Sequence, residues 1–296
     1  MSEAIAVVRA SRPNFLVLAP LCVGLGVAVA WQQGSPPALL DTLLVFVGAI
    51  LAHAAVNLFN EYEDFVSGLD MITTRTPFSG GSGALPETPD AATRVLAAAI
   101  GTLALVILIG FYFLWQRGLP MLVLGAAGVT LVLTYTRWIT RSPLLCLLAP
   151  GIGFGPVMIL GTLVALGARL DATAITVSII GLLLVSELLL INQIPDAEAD
   201  RKIGRRHLVI TLGTPAAARL VSAMFLSGYL VVVTGILAGW LPLPSILSLA
   251  TAPFALWLSR RLPGAISQPD ALNVLLGANV AILLATLALL IVGLSL

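Results

Sequence analysis

Charge is what this chain has least of. Asp, Glu, Lys and Arg make up 10% of its 296 residues, against about 25% in soluble domains. So few charges cannot clothe a water-facing surface of this size, which points to lipid as the solvent. The net charge is +1, so no field gathers nucleic acid and no nucleic-acid partner is expected. Cysteine is nearly absent. Cys22 and Cys146 both sit within apolar runs and read as small core side chains, which excludes a disulfide framework or a thiolate metal site.

What is there instead is apolar: 59% of residues are hydrophobic and the mean hydropathy is +1.05. A helix needs about 20 apolar residues to cross roughly 30 Å of hydrocarbon. Nine candidate spans can be drawn, at about 14–31, 42–60, 91–115, 119–136, 144–167, 173–194, 215–239, 243–259 and 271–294. Turn residues or charge mark the breaks between them: "QQGSPP", "QRGLP", "TRWITRSP", "GARLDAT" and "GWLPLP". The first span imitates a signal peptide, with Arg9 and Arg12 before it and Ala28-Val29-Ala30 near its end. Pro20 interrupts it, and its character matches the later spans, so it reads as a membrane helix. One polytopic domain over residues 1–296 is expected.

Basic residues orient the spans. With the N-terminus inside, the internal segments hold Arg9, Arg12, Arg75, Arg94, Arg137, Arg141, Arg201, Lys202, Arg205, Arg206, Arg219, Arg260 and Arg261, and the external ones Arg117 and Arg169. The expectation is a multi-pass protein of the cell membrane, with the N-terminus and the polar loops described next in the cytoplasm.

Two polar clusters fall on that side. The first, residues 57–70, reads "NLFNEYEDFVSGLD" and ends the second span; the second, residues 192–207, reads "NQIPDAEADRKIGRRH" and follows the sixth. Asn57 and Glu61 are four apart, as are Asn192 and Asp196, and Asp64 and Asp200 continue the two stripes. That step puts the side chains of each cluster on one helical face. Two acidic stripes facing one another repel unless a cation lies between them. Oxygen donors without His or Cys suit Mg²⁺, which is usually completed by water and substrate phosphates. Arg75, Arg201, Lys202, Arg205 and Arg206 suit phosphate oxygens. The chemistry implied is a substrate with a diphosphate head and an apolar tail, met at the membrane.

These residues resemble the UbiA-type intramembrane prenyltransferases over nearly the whole chain. The stretch from Asn57 through Asn60 and Glu61 to Asp64 resembles the family's first aspartate-rich motif. Asp196 and Asp200, followed by Arg201 and Gly204, resemble the second. "NLFNEYEDFVSGLD" and "GFGPVMILGT" (residues 153–162) are most similar to the branch that prenylates 1,4-dihydroxy-2-naphthoate in menaquinone biosynthesis, and Arg12-Pro13 also fits the family. The resemblance implies an all-α membrane fold of about nine helices around a central cavity with a cytoplasmic cap. It implies Mg²⁺ held by Asn57, Glu61, Asp64, Asp196 and Asp200, directly or through water, with Asp64 and Asp196 as the two on which turnover depends. Arg75, Lys202 and Arg205 would contact an isoprenyl diphosphate, with Arg137 and Arg141 as further candidates. Asn60, Asp70, Asn192 and His53 would stand behind these as supporting polar groups.

The sequence departs from the pattern in places. Glu61 stands where Asp is usual, Pro195 where the naphthoate branch carries Arg, and "RSPLLCLLAPG" where that branch carries a Gly-Glu pair. These bear on the aromatic acceptor, for which a hydroxybenzoate or homogentisate type is the alternative. A transporter is the competing class. Its sites usually lie near the midplane, whereas both clusters here lie at one membrane face. Tyr62, Phe59, Tyr135 and Trp138 read as interface anchors or packing residues, His53 as a buried histidine near Asn57, His207 as a loop residue and Glu187 as a structural polar contact. "FSGGSGALPETPD" (residues 78–90) reads as a mobile cap that orders on substrate binding.

Overall fold

The computed structural model describes residues 2–34 and 37–296. Met1, and Ser35 and Pro36 of the "QQGSPP" break, lie outside the described residues. All regular structure among the described residues is helical. Lipid offers a backbone no hydrogen-bond partner, so each spanning segment must satisfy its own N–H and C=O groups.

A short α1 (Glu3–Ala10) precedes α2 (Leu18–Gln32), and the two meet at a 48° bend. Arg12 in this bend has φ +51°, a left-handed backbone that is rare outside glycine. The long α3 (Leu39–Val66) ends in the first acidic stripe and is followed by the one-turn helices α4 (Leu69–Ile72) and α5 (Ala84–Glu87). Next come α6 (Ala92–Arg117) and α7 (Leu119–Thr134), separated only by Gly118 at φ +68°. The tight hairpin expected at "QRGLP" is therefore present. The next span consists of α8 (Pro143–Ile152), a π-type stretch at Gly153–Leu160 and α9 (Gly161–Ala165). Pro150 and Pro156 lie inside it, and proline cannot donate the regular helical bond. The central helix is α10 (Ala172–Asn192), capped by Asp171, whose carboxylate accepts from the Ala174 N–H at 3.0 Å. The short α11 (Ala197–Lys202) and α12 (Leu208–Leu212) carry the second cluster to α13 (Thr214–Leu237). A 3₁₀ stretch at Leu243–Thr251, α14 (Ala252–Ala265) and α15 (Pro269–Ser295) complete the chain.

Among the described residues, six helical segments are long and apolar enough to cross a membrane: Leu39–Val66, Pro89–Arg117, Pro143–Ala165, Ala172–Asn192, Thr214–Leu237 and Pro269–Ser295. The other three expected spans are helical but do not reach that length. α2 has 15 residues and α7 has 16, about 22–24 Å at 1.5 Å per residue. The eighth changes from 3₁₀ to α within its length.

α10 sits in the middle. Two-thirds of its apolar window (67%) is inside the protein, against 17% for the span containing α6. A helix apolar on every side is one surrounded by other helices, and α10 packs on α8, the π stretch, α13, α15 and α2. α3 packs on α6, leaving α6 largely toward lipid. Close approach of α10 to the π stretch depends on Gly155, where a Cβ would lie 2.5 Å from the Ser178 carbonyl oxygen and 2.6 Å from the Leu182 nitrogen. Cys22 and Cys146 are both free and buried. Glu187 and Asn279 are completely buried neighbours on α10 and α15.

Candidate active site

α3 and α10 end on the same side of the bundle, and their polar ends meet there. Between them lies a cavity of about 160 Å³. Asn60 and Asp64 reach it from α3, Asn192 and Gln193 from the end of α10, and Asp196, Asp200, Arg205 and His207 from the segment that follows. Arg12, Tyr135 and Cys146 complete much of the wall, and Phe78, Ser79 and Gly80 close over it. Asp64 of the first acidic motif and Asp196 and Asp200 of the second therefore line one cavity.

Arg205 lies between them. Its guanidinium pairs with Asp64, and its Nη1 donates to Asp200 Oδ1 at 2.9 Å. Burial opposes the guanidinium charge, but Asp64 and Asp200 outweigh it and the Arg205 pKa is raised. Asp200 is held a second time by His207 Nε2, 3.0 Å from Oδ2. Asn60 orients Asp64 by donating to its Oδ2 at 3.1 Å. Asp196 has one oxygen in use, Oδ2 accepting from the Gly80 N–H at 3.1 Å, while Oδ1 is buried without a partner. Burial and the neighbouring Asp200 push the Asp196 carboxyl up to about 7. Asn192 Oδ1 is also buried and unpartnered.

The strap over the cavity, residues 73–83, is already tied in place. Thr76 Oγ1 accepts from the Ser79 N–H at 2.9 Å and the Phe78 N–H at 3.1 Å. Gly80 has φ +78°, and a Cβ there would lie 3.0 Å from the backbone of Thr74 and Arg75. The Phe78 ring packs over Gly277 of α15, where a Cβ would meet it at 3.0 Å. Asp70 is buried beside the strap; burial first, then the charges of Glu61 and Asp64, push its carboxyl up to about 7.

Several expected site residues stand elsewhere. Asn57 does not line the cavity; its Nδ2 donates to the Ser11 carbonyl at 3.0 Å. Glu61 does not line it either, and its carboxylate faces the far end of the strap. Arg75 is 3.7 Å from Glu87, and Arg137 pairs with Glu63 at 2.8 Å on the surface. Arg141 and Lys202 are exposed outside the cavity wall. His53 is buried within α3, its ring edge-on to Phe154 at 4.8 Å.

Other wall residues have places that their sequence context does not announce. His207 is no loop ornament: it is 1% exposed and bonded to Asp200. Tyr135 lines the cavity, and so does Cys146, which accepts from Gln193 Nε2 at 3.1 Å. Arg12 carried the signal for its place in Arg12-Pro13, but nothing in the spacing aimed it at the acids. Gln193 and His207 lie in a non-periodic segment, where sequence spacing gives no direction.

A polar cavity at one end of an apolar bundle, walled by carboxylates and guanidinium groups, defines an intramembrane protein with a charged site at one end. The sequence pattern of the UbiA prenyltransferase family matches residues 17–273. The 1,4-dihydroxy-2-naphthoate octaprenyltransferase of Bacillus subtilis (strain 168) is 30% identical over 245 residues, covering 78% of this chain and 75% of the relative. The enzyme of the same name from Escherichia coli (strain K12) is 29% identical over 237 residues, covering 74% and 72%. The apo structure of a UbiA homolog from Aeropyrum pernix K1 superposes with a TM-score of 0.72 at 19% identity, covering 94% of this chain and 98% of that one. A UbiA homolog from Archaeoglobus fulgidus, bound to DMAPP and Mg²⁺, gives 0.68 at 13% identity, covering 96% and 98%. These two show a shared fold. The chain belongs to the UbiA prenyltransferase family: it is a prenyltransferase of the membrane, and the transporter reading falls away.

Proposed function

We propose that the chain transfers an isoprenyl group from its diphosphate to a dihydroxynaphthoate ring in quinone biosynthesis. The relatives of that name, at about 30% identity across some three-quarters of the chain, support the acceptor. The observation that carries the chemistry is the meeting of Asp64, Asp196 and Asp200 with Arg12 and Arg205 in one cavity. We read the three shorter helical regions as crossings too, giving nine around the cavity, in one domain over residues 1–296. The basic residues at the cavity end support a cytoplasmic position for that end and for the N-terminus.

Mg²⁺ suits this donor set. Among the described residues, no three His, Cys, Asp or Glu side chains form a ready-made cage. Mg²⁺ does not require one, since one or two carboxylates, water and substrate phosphates complete it. Asp64, Asp196 and Asp200 would hold it, with the unpartnered Asp196 Oδ1 and Asn192 Oδ1 as free donors. When bound, the ion supplies charge neutralisation for the departing diphosphate.

The chain's own groups do the rest. Arg12 and Arg205 present guanidinium donors to the diphosphate oxygens. The allylic C–O bond breaks, its electron pair leaves with the diphosphate, and the electron-rich ring bonds to the resulting carbon centre. The attacked ring carbon then releases its proton, or CO₂ where it carries the carboxyl group, and the ring regains its aromaticity. The strap and the apolar walls keep water from that centre. A cavity of about 160 Å³ is small beside ligand sites of roughly 300–1,000 Å³, so the strap shifts to admit substrates.

The test is purified protein with an isoprenyl diphosphate, Mg²⁺ and a panel of aromatic acceptors. Prenylated naphthol formed in step with diphosphate release is the expected result. A second acceptor class has one observation in its favour: the wall carries neutral Gln193 and Cys146, and Pro195 stands where the naphthoate branch has Arg. Turnover of hydroxybenzoate with none of naphthoate would select it.

A further inference from the structure

Glu61 is the most heavily engaged carboxylate near the site, and its hydrogen-bond partners, Ser82 and Ala84, stand outside the cavity. The side chain has no solvent exposure. Its Oε2 accepts from the Ser82 N–H at 3.0 Å, and its Oε1 from Ser82 Oγ at 2.5 Å and the Ala84 N–H at 3.2 Å. Arg12 Nη2 lies 3.7 Å from Oε2. Ser82 Oγ also accepts from the Ala84 N–H at 3.0 Å, so Glu61 closes the first turn of α5. A carboxylate at a helix start, receiving backbone N–H groups, is well placed electrostatically. It has little capacity left for a cation.

The contrast with Asp196 is chemical as well as positional. Asp196 takes one strap N–H, from Gly80, with Ser79 of the strap beside it, and its other oxygen is buried without a partner. Glu61 takes two strap-end N–H groups and a hydroxyl, and has both oxygens occupied. Besides the Arg75–Glu87 pair and the Phe78 packing, the strap is thus tied at Asp196, through Gly80 and Ser79 at the cavity mouth, and more densely at Glu61, where it runs into α5.

We infer that Glu61 is the fixed anchor of the strap, a positioning residue rather than a cation ligand, and that the strap opens from its Gly80 end while pivoting at Ser82. The inference deepens the proposed function, because it separates one acid of the first motif from the cation set. It also explains the extra methylene. An Asp at this position would retract the carboxylate by one C–C bond, about 1.5 Å, and the Ser82 and Ala84 contacts would be lost together.

Arg75 in the strap supplies a built-in probe, because trypsin cuts after arginine. Full-length protein in detergent would be digested briefly, with cleavage at the exposed Arg201 and Lys202 as the control for general unfolding. Mn²⁺ binding, followed by electron paramagnetic resonance, would be measured on the same samples. For Glu61→Asp and Glu61→Gln, cleavage at Arg75 should rise at least tenfold with the control sites unchanged. Mn²⁺ stoichiometry should stay at the wild-type value, with affinity within twofold. Ser82→Ala should give an intermediate rise and add little on top of Glu61→Gln. Loss of a bound Mn²⁺ in either Glu61 variant overturns the inference, as does unchanged cleavage at Arg75. If the wild-type protein binds no Mn²⁺, the proposed cation dependence fails, and cleavage at Arg75 still decides the anchor.

Discussion

The Arg205 guanidinium is paired with the Asp64 carboxylate across 141 positions of sequence, and the same guanidinium holds Asp200. Each acidic motif therefore meets the other through a basic side chain. Both carboxylates and the arginine are largely shielded, with side-chain exposures of 8%, 5% and 13%. Removing one member of such a set leaves charge buried without compensation. Arg205→Ala is expected to destabilise the protein by about 3–5 kcal/mol, the usual cost of breaking a buried pair. In the absence of substrate it should also bind Mn²⁺ several-fold more tightly, because a competing cation has been taken from between two acids. Turnover should fall, since a diphosphate contact is lost. Thermal unfolding and Mn²⁺ titration of the purified variant check the first two, and unchanged unfolding with unchanged Mn²⁺ affinity would contradict the bridging role.

Asp64 and Asp196 differ in what neutralisation does to them. Asp196→Asn keeps an acceptor for the Gly80 N–H and so keeps the strap contact while losing the charge. Asp64→Asn loses its ion pair with Arg205. Both should reduce kcat by about 10²–10³, the scale of removing one preorganised electrostatic group. Only Asp64→Asn should lower stability markedly. Parallel activity and melting measurements separate the two; normal turnover in either would remove that acid from the site.

How much of this was legible in the sequence depends on whether a residue sat in a periodic element. Asp64, Asp196 and Asp200 were legible, because apolar spans place their helix ends and a four-residue step gives a face. Asn57 and Glu61 share that step with Asp64, yet neither lines the cavity. The face is set by the spacing, but the target is set by what packs on it: Ser11 reaches Asn57, and the strap reaches Glu61. Arg12 and His207 reach the cavity from a bend and a loop, where no periodicity points the side chain. The span count was legible where helices are long and continuous. It was blurred at α2, α7 and the 243–265 region, where composition is apolar but the helices are short or change type.

The contact between the π stretch and α10 offers a stability test away from the chemistry. Gly151 and Gly155 are four apart and face α10, the small-residue pattern that lets membrane helices approach closely. At Gly155 an added methyl meets backbone of α10, which cannot rotate aside. Gly155→Ala should cost about 1–3 kcal/mol by overpacking and shift α10, whose end carries Asn192. Gly161→Ala, where nothing lies within 4 Å, is the control and should melt like the wild type. Equal melting temperatures for the two variants would mean that the π stretch has room to yield.

Glu187 is a fully buried acid outside the cavity, and its environment argues against a part in turnover. It has no solvent exposure and does not line the cavity. Neither of its oxygens has a hydrogen-bond partner within 3.5 Å, and its polar neighbour is the equally buried Asn279 of α15. A charge at the bilayer centre costs at least about 2.5 kcal/mol on insertion scales, so a neutral side chain of the same shape should be accepted. Glu187→Gln is expected to keep turnover within twofold and to melt no lower than the wild type. Glu187→Leu replaces the polar neighbour of Asn279 with an apolar side chain and should leave KM for the diphosphate unchanged. Initial rates and melting curves on both variants decide the matter. A folded Glu187→Gln protein without turnover would assign the carboxyl a proton-transfer role instead.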